Sequence, residues 1–447
     1  MKNRIVYGVI VSVLTVNLAL GFMVYDMAAA DTNEDDPYQS MRTLTQVMEM
    51  IREDYVDNGK VGYDDLVNAA LRGMVSALDP HSEYMPPRRF DDLRSDTEGH
   101  FGGLGIVVSV RDNWLTVLSP MEGTPGYDAG IITGDRIVKI DGMSTENVTL
   151  AEAVGKLRGK AGTEVELTLF RPGKNDTFDV KVERAVIKVS SVKDLSGKSV
   201  DQKGAFSVLD DNIGYIRVLQ FGEHTASDIR KALERMTKNN MTSLILDLRG
   251  NPGGLLDQAV KICDFFLPRN QPILTTEGRK QSQLSSYRSR GLVDYSGIQI
   301  AVLVDGGSAS ASEIVAGCLQ DSTASGVCDA VIIGEQTFGK GSVQSILPLN
   351  NGAALRLTTA KYYTPSHKVI HKQGIKPDIA VSMTREEHRG LVLRRGPGGL
   401  NSVEDKGERE RYSKMEDRQF NRAVDILKGL RLLKKSAPKA DNKVARN

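Results

Sequence analysis

Two hydrophobic patterns share this chain, and the switch from one to the other marks its parts. In "YQSMRTLTQVMEMIREDYV" the apolar residues Met41, Leu44, Val47, Met48 and Ile51 recur at three- and four-residue steps, the spacing of one helix face. "YDDLVNAALRGMVSALDP" repeats that pattern and stops at Pro80, so residues 38–96 read as helices. At His100 short β-rich runs take over: "HFGGLGIVVSV", "WLTVLSP", "DRIVKIDG" and "EVELTLFRPG", with glycine turns between them. A single helix, "TLAEAVGKLRG", interrupts them, with Thr149 as its cap. That is a small α+β or barrel-like module.

From Ala205 strands and helices alternate. "NIGYIRVLQF", "SLILDLRG", "IAVLVDG" and "AVIIGE" read as strands. "TASDIRKALERMTKN", "LLDQAVKICDFFL" and "SASEIVAGCLQD" read as the helices between them. This βαβα order predicts an α/β layer domain, and near-continuous Val/Ile/Leu strands predict a sheet covered on both faces. After Thr384 the chain turns polar; "GPGGLNSVEDKGERERYSK" reads as a flexible segment. "RQFNRAVDILKGLRLL" reads as a helix with Phe420, Val424, Leu427 and Leu430 on one face, and a basic tail ends the chain. The expected layout is a leader at 1–30, a helical region at 31–98, a β-rich module at 99–186, an α/β core at 187–384, and a polar linker, helix and tail at 385–447.

Composition changes this picture little. With 447 residues, 40% hydrophobic and 26% charged, the chain can bury real cores. A formal net charge of +1 gives no field that points to nucleic acid. The N-terminus says more. Lys2 and Arg4 precede twenty-one uncharged residues, "IVYGVIVSVLTVNLALGFMVY", and Ala28 and Ala30 fit a small-x-small cleavage site. We expect export, either with the leader removed or with it kept as an anchor in the inner membrane. The remainder would then be periplasmic or held at the outer face of the cytoplasmic membrane. Cys263, Cys318 and Cys328 have no metal spacing. In an exported protein Cys318 and Cys328 could pair; otherwise all three are small core residues.

The chemistry centres on "DGGSASASEIVAG", where Ser308, Ser310 and Ser312 alternate with alanine. Ser310-x-x-Glu313 fits a capping box, which needs no catalysis. Yet Ser310 sits where a buried strand turns into a helix, a common place for nucleophiles, and the Ala311 N–H there could hold an oxyanion. Any of six histidines, His81, His100, His224, His367, His371 and His388, could fold back as its base. Lys340 in "GEQTFGKGSVQ" is the other candidate, since burial would lower its pKa. "GEQTFGKG" also resembles a phosphate loop, but Gly341 stands where Ser or Thr belongs, and strands follow rather than a helix. The glycine turn in "LDLRGNPGG" offers Gly253 or Gly254 as a second oxyanion donor.

Together, "GGLGIVV", "GDRIVKIDG", "LRGNPGG", "GGSASASEIVAG" and "GEQTFGKGSVQ", in this order, resemble the carboxyl-terminal processing, or tail-specific, proteases. The resemblance runs from about Tyr38 to Ser382. It implies Ser310 as nucleophile, Lys340 as general base and Gln344 as the residue that positions the lysine. It also implies an α/β, crotonase-like core with an inserted PDZ domain. "STASGVCD" is longer than the family pattern, so Asp321 is given no catalytic role. The loop Gly103, Leu104, Gly105 and Ile106 resembles the carboxylate-binding loop of PDZ domains, in which backbone N–H groups hold a peptide's terminal carboxylate.

The expected activity is therefore that of an exported serine endopeptidase with a Ser–Lys centre, acting on proteins with apolar C-termini and needing no metal or cofactor. A catalytically dead PDZ scaffold and an acyl-CoA enzyme on the same fold are the alternatives. An activating adaptor, the oligomeric state and the physiological substrate are not legible in the sequence.

Overall fold

The computed structural model describes residues 36–436 apart from 122, 174, 292–294, 397, 398 and 404, together with residues 8, 13–21 and 23. The cleavage-site alanines and most of both the acidic linker and the basic tail lie outside the described residues, as does much of the apolar run. No helix among the described residues is long and apolar enough to cross a membrane. The chain divides into two compact units, residues 1–84 and 85–447.

In the first unit, Asp36 caps helix α1 (Pro37–Asp54) by accepting the Tyr38 N–H at 3.0 Å. Pro37 occupies the first turn, where no N–H is needed. Helix α2 (Tyr63–Ser76) follows. Tyr63 donates to Glu49 at 2.6 Å, and the Arg52 guanidinium lies 3.7 Å over its ring. No residue of α1 is buried; Met41, Leu44 and Val47 stand exposed.

The second unit opens with α3 (Pro87–Glu98) and strand β1 (His100–Gly103). An antiparallel sheet follows in the order β2 (Ile106–Arg111), β3 (Trp114–Pro120), β4 (Arg136–Ile140), β5 (Glu164–Arg171) and β6 (Asp176–Glu183). Helix α4 (Leu150–Leu157) covers it, with Thr149 and Glu152 forming the expected cap. Ala153 and Leu157 of α4 close over Leu115, Val117, Ile137, Leu167 and Leu169. The sequence reading stopped at β5. The structure adds β6, which pairs along the whole of β5, and β7 (Ala185–Lys188), which pairs with β1. Phe178, Val180 and Val182 pack against this core in strict alternation with polar residues.

The core begins at β8 (Val192–Lys193) and β9 (Ile213–Val218), followed by α5 (Thr225–Lys238), β10 (Ser243–Asp247) and α6 (Leu256–Phe266). Strands β11 (Pro272–Gly278), β12 (Ser285–Arg288) and β13 (Gln299–Val304) lead to α7 (Ala311–Ala324). Then come β14 (Asp329–Gly334), β15 (Ser342–Pro348), β16 (Ala354–Tyr363) and β17 (Ile379–Ala380). One sheet runs β8-β9-β10-β13-β14-β17, parallel from β9 to β17. Strands β11, β12, β15 and β16 form a second, antiparallel sheet. Alternate residues of the first sheet face two cores. Ile216, Leu244, Val302 and Ile332 meet α5, α6 and α7 on one side. Tyr215, Ile245, Leu303 and Ile333 meet a helix from the C-terminal region on the other.

That region corrects one expectation. Much of the polar stretch after Thr384, including part of the segment read as flexible, folds as α8 (Arg385–Arg395) and α9 (Lys406–Lys414) ahead of α10 (Arg418–Ser436). Leu391 and Tyr412 are buried there, and Ala423 and Leu427 of α10 sit on the sheet. Charge-rich helices were hidden because few apolar residues anchor them. The three cysteines are free and buried, so Cys318 and Cys328 do not pair. The residues after Asp321 carry α7 on to Ala324 and tuck Cys328 under it, with its thiol 3.6 Å from the Leu319 carbonyl.

Candidate active site

Two turns leave the same edge of the parallel sheet side by side, because Asp247 of β10 is in register with Leu303 of β13. Residues 248–254 follow β10, and residues 305–310 follow β13. Polar groups zip the turns together. Asp305 Oδ1 accepts the N–H groups of Gly250 at 2.8 Å and Gly307 at 2.9 Å. Ser308 Oγ donates to the Leu248 carbonyl at 2.8 Å, and Ser312 Oγ to the Asn251 carbonyl at 2.9 Å. The Ala309 N–H also reaches that Asn251 carbonyl, at 3.0 Å. Asn251 is itself anchored by its Nδ2, which donates to the Val218 carbonyl at 2.8 Å.

This zipper separates the three serines. Ser308 and Ser312 are wholly buried with their hydroxyls committed to backbone carbonyls. Ser310 is half-buried and has φ +54°, ψ −112°, a strained conformation for a residue with a side chain. Strain at a strand-to-helix turn is how a nucleophile is held clear of the backbone. Gly253 shows how tight the fit is. A Cβ there would lie 2.8 Å from Ser310 Cβ and 2.9 Å from the Ala311 nitrogen.

Glu313 joins this turn to the lysine loop. It is wholly buried, and its carboxylate accepts four hydrogen bonds. Oε2 takes the N–H of Ser310 at 2.8 Å and that of Lys340 at 2.9 Å. Oε1 takes the Gly339 N–H at 2.7 Å and the Thr337 hydroxyl at 2.5 Å. The backbones of Ser310 and Lys340 thus share one acceptor atom. Residues 370–375 press the loop from its far side; Lys372 N–H donates to the Gly339 carbonyl at 2.7 Å. Tyr362 makes a further link, its hydroxyl donating to the Lys340 carbonyl. Burial, then the Glu313 charge, push its phenol well above the ordinary value, partly offset by a hydrogen bond with the Ser310 side chain. The phenol therefore stays protonated between the two loops.

The remaining candidates divide. Among the described residues the N–H groups of Ala311 and Gly254 make no hydrogen bond, whereas that of Gly253 donates to Asn251 Oδ1 at 2.9 Å. Of the two glycines, Gly254 is the one whose N–H stays unbonded among the described residues. Gln344 Nε2 donates to Ser342 Oγ at 2.9 Å and Thr358 Oγ1 at 3.3 Å. Of the histidines, His367 pairs with Glu277 at 3.0 Å. His371 abuts Gly341 through its backbone, and its Nδ1 is buried with no hydrogen-bond partner. Asp321 orders the 364–368 turn, accepting from Ser366 Oγ at 2.7 Å and Lys368 Nζ at 2.8 Å. A β-strand follows Lys340, so the phosphate-loop geometry is absent there.

In the β-rich module, residues 103–106 are clamped by residues 121–126. The Leu104 carbonyl accepts the Gly126 N–H at 2.7 Å, and the Gly105 carbonyl accepts the Met121 N–H at 2.8 Å. Gly105 has φ +71°, and a Cβ on it would lie 2.3 Å from Thr124. Gly103 pairs with Ala185 in β7, and Ile106 opens β2. Among the described residues the N–H groups of Leu104 and Gly105 make no hydrogen bond. Arg158, just past α4, pairs with Asp96 of α3 at 3.2 Å and lies 4.3 Å over Phe101. The end of α3 in turn meets residues 220–223, where Glu223 N–H donates to the Thr97 carbonyl at 2.9 Å.

A carboxy-terminal-processing protease of Bartonella bacilliformis is 40% identical to this chain over 441 residues, covering 94% of this chain and 96% of its own. The chain belongs to the carboxy-terminal processing proteases. The family model of peptidase family S41 matches residues 212–381, that of the PDZ domain residues 102–182, and that of the activating protease CtpB N-terminal domain residues 20–88. Carboxy-terminal processing protease CtpB of Bacillus subtilis is 34% identical over 355 residues, 79% of this chain and 70% of its own. The photosystem II D1 C-terminal processing protease has a solved structure 27% identical, covering 76% of this chain and 92% of that one, with a TM-score of 0.43. This carboxy-terminal processing protease is thus a serine peptidase carrying a PDZ domain.

Sequence reasoning took Glu313 for a cap alone and missed Asp305, Asn251 and Tyr362. A carboxylate inside the apolar run "SEIVAGCL" was the available signal. Glu313→Gln keeps the shape but turns an amide N–H₂ toward donors. We expect kcat to fall at least about tenfold (about 1.4 kcal/mol), with stability lowered by about 1–3 kcal/mol from unsatisfied buried donors. Peptidase kinetics beside urea unfolding check both, and unchanged kcat would leave Glu313 a structural cap.

Proposed function

We propose that the protein is an exported endopeptidase that cuts protein substrates near their C-termini at a Ser310–Lys340 centre. The observation that carries this is the single Glu313 oxygen shared by the Ser310 and Lys340 backbones, with Ser308 and Ser312 committed elsewhere. In this reading Ser310 Oγ attacks the scissile carbonyl, neutral Lys340 takes its proton, and the same proton goes to the leaving amine. The N–H groups of Ala311 and Gly254 hold the oxyanion. Gln344 orients Lys340. The core, residues 187–384, is crotonase-like, and the PDZ domain spans 99–186.

The PDZ domain captures the tail. The unbonded N–H groups of Leu104 and Gly105 take the terminal carboxylate, and the peptide adds as a strand beside β2. The apolar positions of β2 favour apolar terminal residues. Residues from Asp31 onward lie outside the cytoplasmic membrane, because Lys2 and Arg4 hold the N-terminus inside.

Ser310→Ala should abolish cleavage of an unstructured protein while the fold survives. Lys340→Arg should be as inactive as Lys340→Ala, because arginine stays protonated. Activity retained in Lys340→Arg but lost in His371→Ala would move the base to His371. Amidating a substrate's C-terminus, or ending it in Asp-Asp, should slow cleavage about tenfold or more at sub-saturating concentration, a loss of about 1.4 kcal/mol. Equal rates for the free, amidated and acidic tails would remove tail capture from the mechanism. In cells, protease added to spheroplasts should digest the chain beyond Asp31, and full protection would refute export.

A further inference from the structure

The densest cluster of buried charge in the described residues lies outside the centre proposed above. Asp247, the last residue of β10, is wholly buried. It accepts from Tyr215 Oη at 2.8 Å, Arg249 Nε at 2.9 Å, Arg249 Nη2 at 2.6 Å and Arg395 Nη1 at 3.0 Å. Arg249 also reaches the C-terminal region, donating Nη1 to Asp417 Oδ1 at 2.8 Å and Gln419 Oε1 at 3.0 Å, and Nη2 to Asp417 Oδ2 at 2.9 Å. Every N–H of its guanidinium is engaged. Arg395 of α8 closes the ring with a bond to Asp417 at 2.9 Å. Asp417 in turn caps α10, accepting the Phe420 N–H at 3.0 Å.

Buried ion clusters contribute little net stability over apolar packing, but they demand one geometry. This one grips residues 247 and 249, immediately before the turn that carries Gly254. The same turn is held at Gly250 by Asp305 and at Asn251 by Val218. The Arg249 hold comes from the C-terminal region, from Asp417 and from Gln419 of α10, while Arg395 of α8 bonds Asp247 and Asp417. Burial alone would raise the Asp247 carboxyl, but Arg249 and Arg395 outweigh it and keep it well below the usual carboxylate range.

We infer that Arg249, Arg395 and Asp417 are positioning residues for the oxyanion site. Through the 248–254 turn, the C-terminal helices set where the Gly254 N–H points. The inference rests on the peptidase reading for its kinetic part alone.

The test uses the full chain and three variants, Asp417→Asn, Asp417→Glu and Arg395→Gln. Asp417→Asn should lower kcat about 10- to 100-fold, toward the cost of losing an oxyanion donor, while KM changes less than about threefold. Asp417→Glu should recover part of that loss. Hydrogen exchange at the amides of residues 250–254 should accelerate in Asp417→Asn within an otherwise protected core. Arg395→Gln leaves the Arg249–Asp417 fork in place and should show a smaller loss of the same kind. A folded Asp417→Asn with wild-type kcat and unchanged exchange overturns the inference. So does unfolding of both Asp417→Asn and Arg395→Gln, which would make the cluster a general structural element. Wild-type protein that cleaves nothing sinks the peptidase reading instead, and the exchange data then decide alone whether the helices hold the turn.

Discussion

The buried carboxylate of Glu313 is the interaction on which the site depends. It carries a charge into a wholly buried place, and such a charge survives only if its lone pairs are filled. Four donors fill them, and they come from two separated stretches of chain, the 305–310 turn and the loop after β14. If either loop moved, the carboxylate would lose donors it cannot replace from solvent. The cost of an unsatisfied buried acceptor, about 1–3 kcal/mol or more for a charged one, is therefore what locks Ser310 and Lys340 into one neighbourhood.

The strain at Ser310 fits this logic. A positive φ on a serine costs on the order of 1–3 kcal/mol and persists only where neighbours over-determine it. Here Ser308 and Ser312 pin the turn on both sides of Ser310, each through a hydroxyl bonded to the neighbouring turn. Gly253 makes room for Ser310, since any side chain there would collide with it. The alternation of serine and alanine is thus a structural pattern: two serines fasten the turn, and the one between them is lifted.

Around this centre the second unit is arranged so that distant segments converge on the strand-end turns. Helix α3 touches both the PDZ domain, through Arg158, and residues 220–223 of the core. Helices α8 and α10 reach the Arg249 side of the other turn. The Gln344 side chain rests on hydroxyls of its own hairpin, bonding Ser342 and Thr358.

Local pattern by itself settled which segments are helix and which are strand across most of the core, because a sheet covered on both faces forces long apolar runs such as "SLILDL" and "IAVLV". Position at strand ends made Ser310 and Lys340 candidates, and the resemblance to the family added the 103–106 loop. What the chain could not reveal was which distant groups meet. Glu313 reads as a helix cap from its neighbours, and only the fold brings residues 337–340 onto its carboxylate. Tyr362 lies in an ordinary strand pattern until that strand is placed beside the lysine loop. Helices α8 and α9 carry too few apolar residues to announce themselves; Arg395 of α8 is held by Asp247, far back in the chain, and Arg411 of α9 by Glu386 of α8. Periodicity records local burial. Hydrogen bonds and ion pairs between remote segments leave no periodic trace, so tertiary structure alone decided them.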